Sequence, residues 1–64
     1  DFSMIIKIDD AIQSLNSGAI FVVKAPSGID IDNAEINWLD GTTPISKADI
    51  KAEMERLQNI EDGK

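Results

Sequence analysis

The stretch AIFVVKAPSGIDIDNAEINWLDG, residues 19–41, decides the fold. Ala19 to Lys24 are mostly apolar, β-branched or aromatic, and Gly18 and Pro26-Ser27-Gly28 bound them on either side, the pattern of a strand. Glu35-Ile36-Asn37-Trp38-Leu39 reads as a second strand, with Ile36 and Trp38 on one face at a period of two, and Asp40-Gly41 ends it. Residues 25–34 carry Pro, Gly, Asp and Asn and read as a connection. Ile29 and Ile31 alternate there with Asp30 and Asp32, which leaves an edge extension open. Two strands joined this way predict an antiparallel hairpin, with residues 19–24 as the central strand of the sheet.

Working toward the N-terminus, Met4-Ile5-Ile6-Lys7-Ile8 is a short aliphatic run that suits a third strand. Asp9 then reads as a helix N-cap for residues 10–16, where Ala11, Ile12 and Leu15 fall at helical spacing and Asn16-Ser17-Gly18 supplies the stop. Ile5, Ile8, Ile12 and Leu15 also fit a helical stripe, so one longer helix starting near Ser3 is the competing reading. Toward the C-terminus, Ser46 is an N-cap with Asp49 three positions on, and Ile45 and Ile50 stand where a hydrophobic staple closes. Thr43-Pro44 offers a second start. Ile50, Met54 and Leu57 form a stripe with Ile60 at its edge, while Lys51 with Glu55 and Glu53 with Arg56 are expected as ion pairs on the wet side. Gly63 marks the end. The expected fold is a single small α+β domain over residues 1–64: a small antiparallel sheet with one short helix and one longer C-terminal helix, in the order (β)αββα.

A chain of 64 residues supports a thin core, and one this short needs a disulfide, a metal, unusually good packing or association to gain more than about 3–5 kcal/mol from it. With no cysteine and no histidine, disulfides and the common zinc sites are excluded, which leaves packing or a homo-oligomer. Twelve acidic against six basic residues give a net charge of −6, which repels nucleic-acid phosphates and anionic membrane surfaces. No apolar run approaches the roughly 20 residues of a membrane span, and the N-terminus lacks a secretory pattern, so an intracellular protein is expected.

The residues for bond-making chemistry are sparse. Asp30, Asp32 and Glu35 suggest a calcium loop, but counting from Asp30 puts Glu35 where an EF-hand needs glycine and Gly41 where it needs a bidentate acid. Paired carboxylates for glycoside hydrolysis need a cleft between them, for which three apolar blocks leave little volume. Ser27 has no histidine to activate it, and no lysine is forced into a desolvated site. Asp40-Gly41-Thr42-Thr43 lacks the glycine spacing and the Lys-Ser/Thr ending of a phosphate loop. No catalytic, cofactor or metal residue is assigned, and a non-enzymatic role is expected. The candidate protein interface is Trp38 with Ile50, Met54 and Leu57, since Trp is enriched at binding hot spots. Trp38 equally suits the core, and the helix stripe either covers its own chain or continues into a neighbour.

The segments IDDAI (residues 8–12), AIFVV (19–23), INWLDG (36–41) and TPISKADIKAEMERLQNIE (43–61) resemble short tail-associated proteins of tailed bacteriophages, especially those of marine bacteria. The likeness spans most of residues 5–62. It implies a structural or assembly role in a virion tail, with protein partners, no enzymatic activity, and a location in the infected host's cytoplasm or the virion. A free-standing acidic adaptor or inhibitor that binds a basic protein surface is the other reading. Salt separates the two, because charge-dominated binding weakens steeply with ionic strength and apolar association does not.

Overall fold

The computed structural model describes residues 5–63. Its elements are α1 (Ile8–Leu15), β1 (Ile20–Lys24), β2 (Glu35–Leu39) and α2 (Lys47–Glu61), an α+β arrangement in the order αββα.

The N-terminal apolar run is not a strand. Met4 lies outside the described residues, residues 5–7 pair with no strand, and Ile8 already belongs to α1. The helical spacing of Ile8, Ala11 and Ile12 prevails because it buries all three on one side. Lys7, not Asp9, is the N-cap residue. Its backbone N–H donates to the Asp10 carboxylate at 3.0 Å, so an acid three residues into the helix satisfies a donor that the cap's own side chain cannot. At the other end the predicted stop holds: the Asn16 side-chain oxygen accepts from Gly18 N–H at 3.1 Å, and the Asn16 carbonyl accepts from Ala19 N–H at 3.0 Å.

β1 and β2 are antiparallel, with Ile20 opposite Leu39, Phe21 opposite Trp38, Val22 opposite Asn37, Val23 opposite Ile36 and Lys24 opposite Glu35. Because these are the sheet's two strands among the described residues, β1 is not central and each strand keeps one open edge. Phe21, Val23, Ile36 and Trp38 form the inner face and pack on the core, which a two-stranded hairpin needs to be stable in water. Residues 25–34 remain a connection. Ile31 and Ala34 are buried while Ile29 is exposed, so the alternation read as an edge strand is a loop that inserts two side chains. After β2, Asp40 and Gly41 both have positive φ, 53° and 72°, and Thr42 N–H donates to the Leu39 carbonyl at 3.0 Å, the signature of a type I′ turn.

Ser46 caps α2 as predicted, its hydroxyl accepting from Asp49 N–H at 3.2 Å. Gly63, with φ 77°, closes the helix by donating to the Ile60 carbonyl. α2 packs chiefly on α1. Among the described residues the buried apolar core is four isoleucines, Ile8, Ile12, Ile31 and Ile50, and three alanines, Ala11, Ala19 and Ala34.

Candidate protein interaction surface

The predicted interface residues lie mainly on the inside. Ile50 is completely buried in the same cluster as Ile8 and Ile12, and Met54 and Leu57 are partly buried against that cluster. The α2 stripe therefore covers its own chain, with α1 as its main neighbour. Trp38 is half-buried, its ring 5.9 Å from that of Phe21 across the hairpin at 47°, within the range of a favourable aromatic pair.

Glu53 is not on the wet side. It is 8% exposed, and its carboxylate receives Arg56 Nε at 2.6 Å, Arg56 Nη2 at 2.7 Å and the Ser14 hydroxyl at 2.6 Å. Ser14 belongs to α1, so this group ties the two helices together. The Arg56 hydrogen bonds and then the Ser14 hydroxyl lower the Glu53 pKa to about 2, outweighing the upward push of desolvation, and Glu53 in turn raises that of Arg56. The signal was present in the sequence: Ile50, Glu53, Met54 and Leu57 follow the i, i+3, i+4, i+7 rule of one helix face, and Glu53 is the member that is charged.

Lys51 faces Asp32 of the connector at 3.7 Å rather than Glu55, and with both side chains exposed this pair contributes little. Asp30 accepts from both the backbone and the side chain of Asn33, holding the loop that inserts Ile31. Among the described residues no group of three His, Cys, Asp or Glu is placed to hold a metal.

What the sequence missed is the outer face of the hairpin. Ile20, Val22 and Leu39 are 47%, 45% and 43% exposed, and the register sets Ile20 directly opposite Leu39 with Val22 one pair along on the same face. Lys24 and Glu35, also opposite one another, complete that face together with Asn37. Its formal charge is zero on a chain of −6. A second exposed apolar area, at Ile5 and Ile29 beside Met54, is ringed instead by Asp30, Asp32, Glu55 and Lys51.

No protein-family model, curated protein or solved structure matches the chain. No helix among the described residues is long and apolar enough to cross a membrane.

Proposed function

We propose that this chain is a non-enzymatic structural or assembly module that works through protein–protein contacts and self-associates through the outer face of its hairpin. The observation that carries this reading is the in-register trio Ile20, Val22 and Leu39, left near half exposure while the buried core holds four large apolar side chains among the described residues. Covering apolar surface is favourable by about 25 cal/mol per Å². Two chains of −6 repel least where the local charge is zero, and the Lys24–Glu35 pair lets this face meet a two-fold copy of itself with opposite charges in contact. The area around Ile5 and Ile29, with three acids against one lysine, would bring like charges together. The sequence resemblance alone supplies the setting, assembly of a bacteriophage tail in an infected bacterium.

Light scattering on the purified chain at micromolar concentration tests this. The expected mass is above that of a monomer and unchanged between low and high salt. The double variant Val22→Thr/Leu39→Thr, which puts β-tolerant polar side chains on that face, is expected to be monomeric with an unaltered circular dichroism spectrum. A monomeric parent across the concentration range, or a double variant that stays associated, would overturn the reading.

A further inference from the structure

We propose that the open edge of β1 is a strand-addition site for an extended segment of another protein, one carrying a basic side chain that lies beside Asp9. This rests on the reading of the chain as a binding module, and the site shares only Ile20 with the face assigned to self-association.

The direction of the β1 backbone can be worked out from one hydrogen bond. Ile20 N–H donates to the Thr42 hydroxyl at 3.0 Å, and Thr42 is held on the β2 side by its own bond to the Leu39 carbonyl. Successive residues of a strand aim their N–H and C=O groups to opposite sides. Ile20, Val22 and Lys24 therefore face β2, and Phe21 and Val23 turn their backbone groups toward the edge that no strand of the described residues occupies. Such groups seek hydrogen-bond partners, and an added strand supplies them in a row.

That edge is one side of a slot. A groove of about 610 Å³ separates Phe21, Val23 and Ala25 from Asp9 and Gln13 of α1, a volume within the roughly 300–1,000 Å³ of ligand sites. The helix converts a flat rim into a channel with a backbone side and a side-chain side. Among the described residues that line it Asp9 is the one charged side chain; it is exposed and forms no ion pair with a described residue, and the stem of Lys7 lies beside Gly28 at the same end. An incoming cation is thus favoured, whereas a second copy of this chain brings a net charge of −6 of its own. The geometry also sets where the cation sits. Ile8 N–H donates to the Gly28 carbonyl at 2.9 Å, so α1 begins beside the loop that follows β1, and an antiparallel segment places its N-terminal residues next to Asp9.

The test titrates the nitrogen-15-labelled Val22→Thr/Leu39→Thr chain with a capped seven-residue peptide of alternating valine and threonine bearing one arginine near its N-terminus. The expected result is a shift and slowed exchange of the Phe21 and Val23 amides, with Asp9→Lys weakening binding about three- to tenfold and restoring it toward the same peptide carrying glutamate in place of arginine. The proposal fails if millimolar peptide leaves those two amides unmoved, if the Ile36 and Trp38 amides respond instead, or if Asp9→Lys binds the arginine peptide as well as the parent. It also fails if Phe21 and Val23 are protected without peptide in proportion to protein concentration, since a second copy then owns the edge. Loss of self-association in solution would leave this binding intact, so the two readings stand or fall separately.

Discussion

Between α1 and α2 the inward side chains are closed off: Ile8, Ile12 and Ile50 are fully enclosed, and both oxygens of the seam's carboxylate, Glu53, are hydrogen-bonded. Between β1 and β2 only the inner face is covered, while the outer face shows Ile20, Val22 and Leu39 to solvent and one edge of each strand stays open. The helical seam thus satisfies itself, and the hairpin keeps apolar surface and backbone donors in reserve. In a chain too short to enclose much, the incompletely covered half is where contact with other molecules costs least.

The largest expected effect breaks the comparison if it fails. Ile50→Ala should destabilise the fold by about 2–5 kcal/mol, much of what so small a core supplies, whereas Val22→Thr, followed by urea melts in dilute solution, should stay within about 0.5 kcal/mol. Equal losses would mean that the hairpin's outer face is as integral as the seam. The next prediction sharpens the role of Glu53. Its carboxyl titrates near 4.5 when unfolded and at about 2 when folded, so its ionised form stabilises the fold fully above pH about 4.5 and progressively less as pH falls toward about 2. Glu53→Gln should therefore melt below the parent at neutral pH, with the gap closing across that interval in thermal scans; a gap independent of pH would sever the link between charge and the helix seam. The smallest effect concerns the turn after β2. Gly41→Ala should cost on the order of 1 kcal/mol, and Gly41→Asn less, because the added Cβ meets no atom within 4 Å and the only penalty is the φ of 72°. Chemical denaturation of both variants checks the order.

β2 and the start of α2 were legible in the sequence because local chemistry suffices there: alternating Ile36 and Trp38 between turn residues, and a serine cap with a staple. The N-terminal run suits both a strand and a helix, and burial of Ile8, Ala11 and Ile12 together decides for the helix; where the helix starts is set by the Asp10 carboxylate on the Lys7 amide, a contact that apolar patterning does not report. The burial of Ile31 was hidden for a related reason, since a connector with strand-like alternation inserts a side chain only once its turns are set by Asp30 and Asn33. The interface was sought on the helix stripe, which is apolar because it seals the core. The exposed apolar face of the hairpin, on which the proposed self-association rests, becomes visible only with the register that brings Ile20 and Leu39 together.

The hydrogen bond from Ser14 to Glu53 spans 39 positions in the chain, and that from Ile6 to Gln58 spans 52. At a translation speed of about 5–20 residues per second, α1 waits roughly 2–8 seconds for its partner helix to emerge. Two turns of helix are unstable in isolation, so the segment that becomes α1 has no stable helix of its own over that interval. Birth on the ribosome is consequently the moment when this chain is most open to capture by chaperones or to premature clumping.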